Sequence, residues 1–198
     1  RVGAVRAGAE SVSQEWVYDP AGDPGDPGDP GGNDDFTNAQ VGDEIGGGIY
    51  AGTHTNGTET WHLVFAKQAG ESAAGPQWGN YGTTTGATDP DDGLANQNLI
   101  LESFDDGSAD AFYYCRDYVD AEGNNDYYLP ARNELALVDA LVSMSHAEFS
   151  TDLSTRRWSS TEYSSNSAWY RRFSDGLESS TSKNLTLRRV RPVRRVAV

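Results

Sequence analysis

The chain of 198 residues contains one cysteine, Cys115, so no internal disulfide can form and no cysteine-rich zinc site can be built. That cysteine reads as a small buried hydrophobe in a helix, with a reactive thiol as the competing reading. Lysine is almost as scarce: Lys67 and Lys183 are the only two. High acid with so little lysine suits a salt-rich habitat. No apolar run approaches the length of a membrane span, so membrane insertion is not expected, and no secretory leader pattern is visible. Catalytic signatures are missing as well. There is no Gly-x-Ser-x-Gly elbow, no Walker loop and no dinucleotide glycine fingerprint. The three histidines, His54, His62 and His146, lie far apart in sequence. Glu102, Asp105 and Asp106 offer an acid pair of the kind glycoside cleavage needs. Asp105-Asp106 precedes Gly107, however, and reads better as a turn ahead of a helix.

What is present is ring-rich and acidic. The chain has 5 Trp, 10 Tyr and 6 Phe against a hydrophobic content of 36%, which points to a loop-heavy fold with an aromatic core. The 22 glycines favour turns over long helices. The net charge of −15 is unevenly placed. Residues 1–130 hold 23 acids and 4 bases, giving −19; residues 131–198 hold 7 acids and 11 bases, giving +4. An acidic body repels phosphates, so nucleic acid is not an expected partner. The arginine-rich end either meets an acidic polymer or neighbouring subunit, or pairs with the chain's own carboxylates.

Three regions follow in order. Residues 1–19 are mildly apolar and read as an attachment or stalk segment. Residues 20–34 hold Gly22, Gly25, Gly28 and Gly31 around three Gly-Asp-Pro triplets. Glycine at every third position beside proline is the collagen pattern; a stiff polyproline-II linker is the alternative. Residues 35–198 read as a globular head. Within it, strands are expected from Gly48 and over Glu59–Ala66, the second buried on both sides because His62, Val64 and Ala66 are not clearly polar. Residues 67–93 read as a long loop. Asp89, Asp91 and Asp92 suit a calcium ion's preference for oxygen, but their spacing is not that of an EF-hand, and a solvated acidic turn is the other reading. No cofactor is otherwise expected. Helices are expected over Ser108–Val119, with Ala111, Tyr114, Cys115 and Tyr118 on one stripe, and from Arg132 to Met144, with Leu135, Val138, Leu141 and Val142 inward. A short strand is expected at Tyr127–Leu129.

The most informative stretch runs from Arg157 to Arg195. Asp175-Gly176 suits a two-residue hairpin turn joining Ala168–Ser174 to Leu177–Ser182. Lys183-Asn184 is a second turn, leading to a third strand at Leu185–Arg191. In the first strand Trp169, Arg171 and Phe173 share one face, expected inside, and Tyr170, Arg172 and Ser174 the other, expected outside. Trp158 and Trp169 are both expected in the core, and Arg189 and Arg191 in structural ion pairs.

Trp158-Ser-Ser-Thr-Glu-Tyr, Ala168-Trp-Tyr, Phe173-Ser-Asp-Gly and Arg189-Val-Arg-Pro-Val-Arg resemble the C-terminal domain of the collagen-like adhesin (Lcl) family, found in phage tail-fibre tips and variable target-binding proteins. Asp126-Tyr-Tyr-Leu-Pro-Ala-Arg-Asn-Glu-Leu, Gly48-Ile-Tyr-Ala-Gly and Asp92-Gly-Leu-Ala-Asn fit the same pattern, so the resemblance covers most of residues 46–195. It implies an α+β, C-type-lectin-like fold, with a twisted antiparallel sheet, two helices and long loops, after a collagen-like segment. It also implies binding without catalysis: a trimeric receptor-binding head at the tip of a phage or viral tail fibre, in the virion. Its partners would be a host cell-surface receptor, glycan or protein, and other tail proteins. The alternatives are a cellular surface adhesin binding anionic glycans and a purely structural virion tail protein. The fold is shared with formylglycine-forming enzymes, whose cysteine pair a single cysteine cannot supply. The expected contact residues are Tyr163, Ser164, Ser165, Asn166, Tyr170, Arg172, Ser174, Glu178, Ser180, Lys183 and Asn184, where Tyr and Arg give contact area and Ser and Asn adapt to varied partners.

Overall fold

The computed structural model describes residues 35–104 and 108–198. The attachment segment 1–19, the Gly-Asp-Pro segment 20–34 and the Asp105-Asp106 pair lie outside them. In chain order the elements are β1 (Glu44–Ile45), β2 (Gly48–Thr55), β3 (Thr60–Phe65), α1 (Gly93–Ser103), α2 (Asp110–Arg116), α3 (Arg132–Ala136), α4 (Val138–Ser143), β4 (Arg156–Glu162), β5 (Ser167–Arg172), β6 (Glu178–Ser182) and β7 (Val193–Ala197). The strands form two antiparallel sheets, ordered β1-β2-β3-β7 and β4-β5-β6. This is a mixed α and β architecture of the expected α+β kind, with the helices between and beside the sheets.

The β2–β3 hairpin follows the apolar pattern. Trp61, Leu63 and Phe65 enter one core cluster with Ile49 and Val193, while Val64 enters a smaller one with Phe36 and Tyr50, so β3 is buried on both sides. The register shifts between Tyr50 and Gly52, and Gly52 takes a φ of 110°, a backbone region that a side chain disfavours at a bulge.

The helices differ from expectation in three ways. α1 carries no clear apolar stripe: its buried residues include Asn96 and Gln97 beside Ile100, and periodicity alone therefore hides it. Its start is nevertheless written in the sequence, since the Asp92 side chain accepts a hydrogen bond from the Ala95 amide at 2.9 Å. α2 is shorter than expected; it begins after Ala109 without a side-chain cap and buries Ala111, Phe112 and Cys115, leaving Tyr114 at the surface. The helix expected over Arg132–Met144 is divided at Leu137 into α3 and α4, though Leu135, Val138 and Leu141 face inward as expected. Tyr127–Leu129 contributes one bridge, Tyr128 to Val193, rather than a strand.

The last third departs most. β5 and β6 pair as anticipated, with Arg171 opposite Glu178. The turn between them is longer than two residues: the Arg172 amide donates to the Leu177 carbonyl at 2.9 Å, leaving Phe173–Gly176 as the connection. Only Gly176 has a positive φ there, whereas a two-residue type I′ turn requires two. The third strand at Leu185–Arg191 does not form. That segment makes one parallel bridge, Arg157 to Arg189, and then crosses to the other sheet as β7, where Val193 pairs with Phe65.

Candidate functional site

The three-stranded sheet has apolar contacts on both faces. On one, Trp158, Ala168 and Tyr170 join Trp78, Ile100 and Phe112 in a core cluster. On the other, the α3–α4 pair lies across β5. Phe173 is buried there beside Phe149, and the Arg171 guanidinium pairs with Asp139 and reaches Glu178 at 3.4 Å. Among the described residues nothing covers the far corner of this second face completely. There Trp169 is half-buried and stands opposite Ser180. The Tyr163 ring meets Trp169 edge-on at 5.1 Å, and Arg132 lies over the indole with its guanidinium carbon 3.9 Å from the ring centre. Glu178 locks Arg132 in place through its Nε and Nη2 at 3.0 and 2.8 Å. Aromatic, guanidinium and carboxylate groups on regular strands and a helix start thus hold one another in a fixed, partly exposed cluster.

The expected contact residues separate accordingly. Tyr163 is 58% exposed, and Ser164, Ser165 and Asn166 build the tight turn after β4, where the Tyr163 and Ser164 amides both donate to the Ser167 carbonyl at 3.0 Å. Asn184 is exposed beside this turn, because the Lys183 amide bonds the Asn166 carbonyl at 3.0 Å. Ser180 and Glu178 lie on the open corner. Arg172 and Ser174 lie at the opposite end of the hairpin, about 16 Å away for a strand of this length. There Asp175 holds Arg172, and that pairing keeps the Asp175 carboxyl down at about 2.

Two of the expected residues do not belong. Tyr170 is only 8% exposed, in the core. Ring size misjudged its face: the β4 register places Trp158 directly opposite Tyr170, so the two rings share the interior. Lys183 is wholly buried. Its ammonium pairs with Glu162, donates to the Thr83 carbonyl at 2.7 Å and sits 4.8 Å over Trp78. Burial lowers its pKa and Glu162 opposes that. Glu162 also accepts from the Thr85 and Gly86 amides, so the pair straps the long loop onto β4. Trp169, conversely, was expected inside and is part of the open corner.

The remaining arginines are mostly internal. Glu71 is the anion for Arg157, Arg189 and Arg191, with Nη–Oε distances of 2.9, 3.3 and 3.3 Å. Burial draws the Arg191 pKa down to about 10 despite that carboxylate. Arg194 meets Asp126 and Arg195 meets Asp92. Five arginines of the positive end therefore pair within the molecule with Glu71, Asp126 and Asp92 of the acidic body. The three aspartates considered for calcium have structural duties: Asp89 Oδ1 accepts from the Asp91 and Asp92 amides, Asp91 holds Asn133, and Asp92 caps α1. Among the described residues no group of three or more His, Cys, Asp or Glu is arranged to hold a metal ion. No helix among them is long and apolar enough to cross a membrane.

Sequence reasoning missed Arg132 as a surface residue because it reaches Trp169 from a helix far away in sequence. It also missed Tyr81, which is exposed beside Gly82, whose amide bonds the Ser165 carbonyl at 3.0 Å. Compared with known proteins, the chain matches no family model and no curated protein.

Proposed function

We propose that this protein is a non-enzymatic receptor-binding head of C-type-lectin-like type, carried at the tip of a phage or viral tail fibre, that grips a host-surface ligand without transforming it. The observation that supports this reading most is the open corner of the β4-β5-β6 sheet. Tyr163, Trp169 and Arg132 stack there with Ser180 and Glu178 around them, beside the short turn Ser164–Asn166 and Asn184. These side chains are held by strands and by each other, so little conformational freedom is lost when a ligand is bound. Trimerisation through a collagen-like segment belongs to the same proposal.

The test is attachment. Labelled protein is incubated with a panel of intact prokaryotic cells, and binding is compared for wild type, Trp169→Ala and Tyr163→Ala, with folding checked by circular dichroism. Loss of attachment at least about tenfold in folded variants supports the reading, since truncating an interface hot spot costs about 2 kcal/mol or more. Unchanged attachment in both variants sinks it and favours a structural tail protein.

A further inference from the structure

Every other described arginine meets a carboxylate, but Arg156 and Arg188 do not. The two converge on one tyrosine. The Arg188 guanidinium carbon is 4.8 Å from the Tyr170 ring centre and 5.9 Å from that of Trp158; the Arg156 carbon is 5.7 Å from Tyr170. Arg188 is only 8% exposed, and the Nε atoms of both arginines are buried without a hydrogen-bond partner. A third guanidinium, that of Arg172, stands across the β4–β5 register from Arg156, engaged by Asp175.

Two like charges brought together in a partly dry site repel each other, and stranded Nε donors add a desolvation cost. Burial lowers the Arg188 pKa, the Tyr170 hydroxyl hydrogen-bonded to it opposes that, and Arg156 lowers it further. In a chain of net charge −15, leaving these two cations without an acid while every neighbour has one is an unusual arrangement.

We infer that Arg156 and Arg188, gathered over Tyr170, form a binding site for a single oxyanion, a sulfate, phosphate or carboxylate group. The planar fork of each guanidinium matches two oxygens of such a group, and the aromatic shelf below fixes the forks in place. The site lies at the hairpin end of the sheet, whereas the proposed receptor corner is at the other. It stands without the receptor reading and, where that reading holds, adds an acidic substituent to the ligand's chemistry.

The experiment is a titration of 15N-labelled protein with sodium sulfate at ionic strength held constant with sodium chloride, following the arginine Nε–Hε resonances. Sodium glucuronate and inorganic phosphate are parallel arms, and glucose is the uncharged control. The expected result is saturable shifts at Arg156 and Arg188 with sulfate, absent with chloride and glucose. Glucuronate then separates carboxylate from sulfate and phosphate recognition. Arg156→Gln, at a half-exposed position, weakens binding at least about tenfold, the loss expected for one charge-assisted hydrogen bond. Arg188→Gln abolishes binding; should that variant not fold, Arg156→Gln alone decides. Shifts reproduced by chloride, or an affinity unchanged in Arg156→Gln, overturn the site. Cell attachment is measured on the same variants: its survival alongside lost sulfate binding leaves the receptor corner standing, so the two proposals fail separately.

Discussion

Trp169 and Tyr170 are neighbours on one strand, yet they do opposite work. Tyr170 points into a core already holding Trp158, Trp78 and Phe112, and its surroundings decide its burial. Trp169 points toward the α3–α4 side, where the helices cover Arg171 and Phe173 but stop short of the strand's beginning. Arg132 and Tyr163 half-cover the indole instead of burying it. Alternation along a strand assigns residues to two sets; it does not say which set has a neighbour to lie against. The larger ring stayed outside because no layer reaches it there.

The contrast can be broken experimentally. Removing the interior ring with Trp158→Ala should cost about 3–5 kcal/mol of stability, the range for large aromatic truncations in cores, read from urea unfolding. A comparable loss, about 3–5 kcal/mol, is expected from Glu71→Gln, because the buried Arg157 and Arg191 would lose their shared anion. Either variant unfolding at the wild-type midpoint would contradict the assigned packing. A smaller effect concerns pH. Glu134 is fully buried and accepts from the Tyr128 hydroxyl at 2.8 Å and the Ala131 amide at 2.7 Å, and burial pushes its carboxyl up to about 8. A raised pKa favours the protonated form in the folded state. Its stabilisation is therefore complete below about 4.5, the ordinary glutamate value, and is lost as pH rises through about 8. Glu134→Gln should flatten melting temperature against pH across that window; an unaltered slope would place the titration elsewhere. The smallest effect on stability, under about 1 kcal/mol, is expected for Trp169→Ala, whose loss should register in ligand attachment instead.

Much of the frame was legible in the residues. The β2–β3 hairpin, the inward face of Leu135, Val138 and Leu141, the burial of Cys115 and the structural use of Arg189 and Arg191 all follow from pattern and charge. What escaped has specific causes. α1 buries amides that bond to the backbone, with Gln97 Oε1 accepting from the Leu129 amide, so it carries no hydrophobic period. The Lys183–Glu162 pair joins residues that each look like ordinary surface charges until the loop closes over them. The expected strand at Leu185–Arg191 makes one bridge to β4 at Arg189, and its end is drawn to the other sheet, where Arg191 Nε donates to the Ala66 carbonyl at 2.6 Å. Of the expected contact residues in turns, Tyr163, Ser164 and Asn184 are exposed but Lys183 is buried, and Tyr170 depended on a cross-strand neighbour that local pattern does not reveal.

The pairing of β7 with β3 has a consequence for biosynthesis. Phe65 pairs with Ile49 on one side and with Val193 on the other, so the first sheet stays unfinished while everything between β3 and β7 is being translated. During that interval the exposed edge of β3, with Leu63 and Phe65 on one face and Val64 on the other, is a sticky surface awaiting its cover. The β5–β6 hairpin lies inside that interval and pairs with neither strand, so a change at its tip leaves the seam that seals the first sheet untouched.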